Sequence, residues 1–281
     1  MPKNRILDQE LIEFIRSHSH AKHIQDTKEG INFPELNLTL KFHHVRDGIS
    51  ISGQQLQAES LESIRNGIRL VRIWEDEWVF RKKIIKSRIL SLLGQTQRIY
   101  GRQTHAEPIS AEQLKDFLTE NHLQIPLKAK HKYGLYHRGR LVAVMAFSKG
   151  RFIERDGKKF HSFELMRHCN ALGKTVIGGM DKLLKHFIQE HQPDDIMSYA
   201  DLDWSDGNAY KRVGFELVET TPAQHFWVDM ESGQRVYPNK VHQLIKKELE
   251  TGLTEDDIMF GKGYYKVFNS GNLKFLKLIN K

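Results

Sequence analysis

Apolar residues recur along this chain with two periods, and each change of period marks a new element. In "RILDQELIEFIRS" (5–17), Ile6, Leu7, Leu11, Ile12, Phe14 and Ile15 fall at helical spacing. In "ELNLTLKFHH", Leu36, Leu38 and Leu40 alternate with Asn37, Thr39 and Lys41, which predicts a strand with one apolar face. "INFPELNLTLKF" and "GISISG", on either side of an Arg46-Asp47-Gly48 turn, predict a strand pair over 31–52. "AESLESIRNG" reads as a helix stopped at Asn66-Gly67, and "IRLVRIW" as a nearly continuous apolar strand. "DEWVFRKKIIKSRILSLLG" predicts one longer helix ending at Gly94. Residues 1–94 are therefore expected to form a small α/β domain.

A polar stretch over 95–109 is expected to be a linker. "SAEQLKDFLTENH" then starts with a serine N-cap, and "KYGLYHRGRLVAVMAFSK" predicts a hairpin around Arg138-Gly139. "FHSFELMRHCNA" is a strand, and "VIGGMDKLLKHFIQEHQP" runs from a Gly-Gly loop into an amphipathic helix that stops before Pro193. "DDIMSYADL", the short helix in "DGNAYKRVGF", and "HFWVDM" complete a second α/β domain over 110–230. A helix and an aromatic segment, with Tyr264, Tyr265, Phe268 and Phe275, fill 231–281 and are expected to cover a core.

Composition narrows the picture. The chain has 281 residues, 39% of them hydrophobic, which is enough to bury real cores. A single cysteine, Cys169, excludes an internal disulfide or a cysteine-rich zinc site. The N-terminal stretch has no long apolar run and no segment is long and apolar enough to span a bilayer, so a soluble cytoplasmic protein with no membrane partner is expected. The net charge of +8 favours polyanionic partners. Its densest expression is Arg81, Lys82, Lys83, Lys86, Arg88, Arg98 and Arg102, a run without an acid that suits contact with phosphates.

Two loops carry candidate chemistry. A glycine-rich turn before a helix aims free backbone N–H groups at an anion, so Thr175, Val176, Ile177, Gly178, Gly179, Met180, Asp181 and Lys182 are candidates for holding a pyrophosphate. They match neither a Walker loop nor a dinucleotide fingerprint. Asp201, Asp203 and Asp206 crowd the loop after "MSYAD", at the C-terminal end of a strand where ligands often bind.

The order strand, polar loop, short helix with Tyr210, then Gly-Phe resembles the acyl-CoA-dependent N-acetyltransferase superfamily, GNAT, over residues 110–230. The resemblance implies acetyl-CoA or another acyl-CoA as cofactor, with Tyr210 as general acid toward the leaving thiolate. It also singles out His122 as a base or substrate contact; Asp201, from its place in the loop after "MSYAD", is a further catalytic candidate. The chain departs from the superfamily loop pattern, Gln/Arg-x-x-Gly-x-Gly/Ala, at its first and last positions.

A wider resemblance covers most of the chain. "GIRLVRIWEDEWVFRKKIIKSRI", "GLYHRGRLVAVMAF", "ELMRHCNALGKTVIGGMDKLLKHF" and "GYYKVFNSGNLKF" are similar to segments of phage-encoded homing endonucleases. Their very-short-patch-repair-like nuclease core is of the PD-(D/E)xK type. Such a core needs two carboxylates for Mg²⁺ and a lysine near the attacking water. The match puts Gly30 and Lys41 at the acid positions and Glu59 near the lysine position, so the nuclease residues are lost and no metal is expected. His43 and His44 are alternative ligands, more simply read as polar residues at a strand end.

The expected fold class is thus α/β, a degenerate restriction-endonuclease-like N-terminal domain followed by a GNAT-like mixed-sheet domain. The expected function is a DNA-associated protein, on duplex DNA in the host cytoplasm if phage-encoded, with Lys41 added to the phosphate contacts. Its GNAT-like half would transfer an acyl group to a nucleic-acid amine. Two alternatives remain open from sequence: an endonuclease using displaced acids such as Asp47, and a pure DNA-binding module.

Overall fold

A computed structural model describes residues 3–19, 24–27, 30–124 and 126–279. The side chains of Ile6, Leu7 and Asp26, and the whole of Glu29, lie outside what it describes. The chain divides into two compact units, each built from more than one stretch of sequence: residues 1–82, 201–206 and 220–272 form unit 1, and residues 83–200, 207–219 and 273–281 form unit 2.

Unit 1 opens with α1 (Lys3–His18), then β1 (Gln25–Thr27), β2 (Gly30–Phe33) and β3 (Leu38–His43), which pair antiparallel in that order. Next come α2 (Gly53–Arg65), β4 (Arg69–Trp74), parallel to β3, and α3 (Glu75–Phe80). A parallel return needs a crossover, and α2 supplies it. Its start is set by a capping box in which Ser52 Oγ accepts from Gln55 N–H and Gln55 Oε1 accepts from Ser52 N–H. β4 is buried from Leu70 to Trp74, which is why it reads as a continuous apolar run.

Three expectations change here. Leu38 and Leu40 are buried, but Leu36 lies in a 3₁₀ turn and is exposed, because Asn37 in the left-handed conformation turns the chain into β3 only afterwards. "GISISG" is not a strand: residues 45–50 form a 3₁₀ helix, and the antiparallel partner of β3 is β2. The long basic helix is two helices, broken at Arg81, whose φ of −126° is not helical.

The chain continues through α4 (Lys82–Leu92), β5 (Gln97–Tyr100), β6 (His105–Pro108), α5 (Ala111–Asn121), β7 (His131–His137) and β8 (Arg140–Phe147). It goes on with β9 (Arg151–Arg155), β10 (Lys158–Asn170), β11 (Lys174–Ile177), α6 (Gly179–His191), β12 (Asp195–Asp201), α7 (Asn208–Arg212) and β13 (Glu216–Thr221). The stretch expected to be a linker, 95–109, therefore holds two strands. β14 (His225–Asp229), β15 (Gln234–Val236), α8 (Pro238–Leu249), α9 (Glu255–Gly261) and β16 (Tyr265–Phe268) return to unit 1, where β15, β14 and β16 form a small sheet. β17 (Asn272–Leu278) ends the fold in the sheet of unit 2.

That sheet has eight strands among the described residues, in the order β13-β17-β12-β10-β8-β7-β6, with β9 as a hairpin partner of β10. β6, β7, β8 and β10 pair antiparallel, and β10 with β12 pairs parallel. The β7–β8 hairpin turns at Arg138 and Gly139, both with positive φ, as its sequence predicts. Phe147 and Phe187 stack face to face, centroids 3.6 Å apart, and fasten α6 to the sheet. Of the aromatic tail, Val267 and Phe275 are fully buried, while Tyr264, Tyr265 and Phe268 pack partly buried against the core clusters of unit 1. No helix among the described residues is long and apolar enough to cross a membrane.

Candidate functional site

In unit 1 the three positions matched to a nuclease site meet. A Cβ on Gly30 would stand 2.3 Å from the Leu40 carbonyl oxygen and 3.1 Å from Cγ of Lys41, so the close approach of β2 to β3 requires glycine. The Lys41 ammonium is paired with Glu59 of α2, and the other Glu59 oxygen takes Arg72 Nη2 at 2.5 Å. Arg72 is fully buried; its Nη1 reaches Ser60 Oγ, and Ser270 Oγ at 3.1 Å. Ser270 in turn donates from its hydroxyl (2.5 Å) and its N–H (3.1 Å) to Asp203 Oδ1.

These positions are thus tied into an ion-pair network of their own. An incoming divalent cation would meet an ammonium and a guanidinium where it needs carboxylates. His43 lies 5.0 Å from the Trp74 ring, and burial, helped by the Arg72 charge, lowers its pKa to about 4. His44 faces Glu75 at 3.5 Å. Among the described residues no group of three or more His, Cys, Asp and Glu is arranged to hold a metal ion.

Unit 2 has a different centre. β10 and β12 keep parallel register only from Ser162–Asp195 to Leu165–Ser198. At the same level Met166 is an extra residue against β8, a bulge between the Leu165–Phe147 and Arg167–Ala146 pairs. The Tyr210 hydroxyl lies where this parallel register ends, 3.2 Å from Ser198 Oγ and 3.4 Å from the Tyr199 carbonyl. Ser198 has one hydroxyl hydrogen and two neighbours for it, the Leu165 carbonyl at 2.8 Å and the phenol oxygen. The Tyr210 ring stacks on Phe275, centroids 5.1 Å apart. Burial pushes the phenol pKa up, opposed by the Ser198 hydrogen bond and the Arg167 charge.

Arg167 also acts on His122. Burial, then the charges of Arg88 and Arg167, hold His122 down at about 3. Its Nδ1 accepts the Gln124 N–H at 3.1 Å, which leaves Nε2 to carry the proton. This His122 is a weak base and a well-fixed donor. His168 is lowered to about 4 by burial. Cys169 has its thiol pushed up to about 12 by burial and lies 3.2 Å from the Asn121 carbonyl, in keeping with a structural thiol.

Asp201 belongs to unit 1, where its Oδ1 accepts the Asp203 N–H at 3.0 Å and shapes the turn that follows β12.

The expected glycine-rich loop is shorter than its sequence suggests. Thr175, Val176 and Ile177 belong to β11, which pairs parallel with β5, and Val176 is buried. What remains is Gly178, left-handed at φ 74°, and Gly179 opening α6, with no side-chain cap. Asp181 is paired with Lys185 at 2.7 Å, and the Lys182 ammonium is bound to the carbonyls of Gly101 (3.0 Å) and Thr104. Beside this helix start is a cavity of about 520 Å³ bordered by Tyr100, Arg102, Ile177, Gly178, Lys182 and Lys185.

The basic candidates scatter. Lys41 is committed to Glu59, Lys82 pairs with Glu10 at 2.7 Å, and Arg88 acts on the buried His122 and Cys169. Lys86 is half-buried, whereas Arg81, Lys83, Arg98 and Arg102 are exposed.

No protein-family model matches the chain, and no curated protein matches it. Solved structures do. A GNAT family acetyltransferase from Elizabethkingia anophelis with acetyl-CoA bound overlaps at TM-score 0.35 and 10% identity, covering 63% of this chain and 99% of its own. A histone acetyltransferase HPA2 and related acetyltransferase from Corynebacterium glutamicum overlaps at TM-score 0.38 and 14% identity, covering 64% and 98%. A KacTA–DNA complex overlaps at TM-score 0.31 and 22% identity, covering 52% and 99%.

Ser198, Ser270 and Arg72 are the site residues that sequence reading misses. A serine or arginine inside an apolar strand looks like an ordinary interruption, and its partners come from distant stretches of chain. Of the three, Arg72 leaves a trace, as one of two arginines, with Arg69, in the otherwise apolar "IRLVRIW".

Proposed function

We propose that unit 2 is a GNAT-like, acyl-CoA-dependent N-acyltransferase domain and that the chain is associated with DNA, transferring an acyl group to a nucleic-acid amine. The observation that carries this reading is the hydroxyl of the half-buried Tyr210, at the end of the β10–β12 register. Supporting it are the sheet order, with its β10–β12 parallel pair, and the helix α6 that follows β10 after the short strand β11. With its pKa raised, the Tyr210 phenol stays protonated at neutral pH and has a proton to give a leaving thiolate. The Arg167 charge acts on both Tyr210 and His122, and Arg167 would help orient the acceptor.

An acyl-CoA supplies the activated thioester. The uncapped N–H groups at Gly179, Met180 and Asp181 fit one of its phosphates, with Lys185 offsetting the Asp181 carboxylate. Thermal denaturation with and without acetyl-CoA tests this assignment. A rise in melting temperature with ligand concentration is expected, and no shift at millimolar acetyl-CoA overturns it.

For unit 1 we propose a restriction-endonuclease-like scaffold that has lost its nuclease chemistry and been kept for binding. The convergence of Gly30, Lys41 and Glu59 supports this, since three positions far apart in sequence meet where the resemblance needs them to. A protein of phage or mobile-element kind acting in the host cytoplasm suits such a combination. A plasmid-nicking assay with Mg²⁺ or Mn²⁺ is expected to show no cleavage; cleavage lost in Asp47→Ala would restore the endonuclease reading.

A further inference from the structure

β5 and β11 bring together two sets of residues that the sequence keeps apart. Ile99 pairs with Val176 and both are buried, so alternation turns Arg98, Tyr100 and Ile177 to the outer face of this two-stranded ribbon. Tyr100 is 46% exposed, and the Arg102 guanidinium sits 5.3 Å from its ring centroid. The ribbon leads directly into the 520 Å³ cavity, with Lys185 on its far wall.

The walls are tied to each other. A Cβ on Gly101 would stand 3.2 Å from the backbone of Gly178, and the Lys182 ammonium holds the Gly101 and Thr104 carbonyls. Such a groove loses little entropy on filling. Its cations are Arg102, Lys182, held by two carbonyls, and Lys185, paired with the one carboxylate, Asp181, so it suits an anion, and it has too few acids for a metal. The exposed ring beside a guanidinium adds a stacking platform. Cations plus a π face describe a nucleotide unit. A cavity of this size takes one unstacked base with its phosphates, whereas a duplex keeps its bases out of reach.

We propose that this groove binds a single strand of nucleic acid, one base against Tyr100 and the adjoining phosphate on Arg102. The proposal rests on the nucleic-acid association above and gives it a place outside the basic helix α4. The test is fluorescence anisotropy of the full chain with a labelled single-stranded oligonucleotide and with its duplex.

Tyr100→Ala is expected to weaken single-strand binding about tenfold while Tyr100→Phe retains it. Arg102→Ala is expected to weaken it and lower the salt slope by about one phosphate. Both sites are exposed, and melting curves confirm that the three variants fold. Single-strand binding untouched by Tyr100→Ala and Arg102→Ala overturns the groove and leaves the association standing. Competitive displacement of the strand by acetyl-CoA overturns it too, assigning the cavity to the cofactor. A chain that binds no nucleic acid in either form removes both the groove and the association.

Discussion

Lys41 on β3 and Glu59 on α2 form an ion pair, and the same carboxylate holds the fully buried Arg72 of β4 at 2.5 Å. One acid therefore answers two cations and joins three elements of unit 1. The partners are unequal. Removing Lys41 leaves Glu59 satisfied by Arg72, whereas removing Glu59 leaves a buried guanidinium with only hydroxyl partners on its Nη1.

Glu59→Gln is accordingly expected to destabilise the protein by on the order of 2–3 kcal/mol and Lys41→Met by about 1 kcal/mol or less. Urea denaturation of the two variants checks the ranking. Equal losses would mean that Arg72 does not depend on Glu59. The burial of Glu59 is partial, so the larger figure stems from Arg72 and not from the exposed side of the pair.

Asp203 gives the same network a pH dependence. Burial, then the neighbouring Asp201 charge, raises its pKa to about 7, against 3.8 in an unfolded chain. A folded-state carboxyl with a raised pKa binds its proton more tightly than the unfolded one, so stability falls as pH rises from about 4 and levels off above 7. Asparagine at 203 keeps an oxygen for the two Ser270 donors and cannot ionise. Relative to the native chain, Asp203→Asn is therefore expected to gain stability at pH 8 compared with pH 5. A stability difference that is the same at both values would refute the shift.

The buried histidines work in the opposite direction. His43, His122 and His168 are lowered to about 4, 3 and 4 from 6.5. Each favours the unfolded chain as it takes up a proton, so their stabilising effect is whole above pH 6.5 and is lost as pH falls through the folded values. NMR of the imidazole signals is expected to show all three neutral at pH 6 in the folded protein. Any of them titrating near 6.5 would contradict its burial.

Local chemistry made a good part of this fold legible. The Ser110 cap of α5 and the Arg138-Gly139 turn are encoded within a few residues, and both stand where the pattern puts them. The parallel pairing of β5 with β11 is not local: each has four residues, and the ladder joins distant stretches. That is why 95–109 reads as a linker and 175–177 as an open loop. The return of residues 220–272 to unit 1 is invisible for the same reason, since no turn signal records which sheet a later strand will join. At the site, the spacing of Tyr210 in "NAYKRVGF" was readable, but its contact with Ser198 depends on where β12 lies.

Tyr210 separates structure from chemistry within one side chain. Its ring packs on Phe275 and makes an edge contact with Phe215, whereas its hydroxyl meets Ser198 and the Tyr199 carbonyl. Tyr210→Phe keeps both ring contacts and removes only the proton donor. The melting temperature is expected to change little, because a long hydrogen bond to Ser198 is worth about 1 kcal/mol or less. Acyl transfer, followed as release of free thiol from acetyl-CoA in the presence of an oligonucleotide, is expected to drop about 100-fold or more, the usual scale for losing a general acid. Tyr210→Ala loses both roles and is expected to be less stable as well as inactive. If Tyr210→Phe turned over thioester at the native rate, the phenol would be a packing group, and the proton for the thiolate would have to come from elsewhere in unit 2.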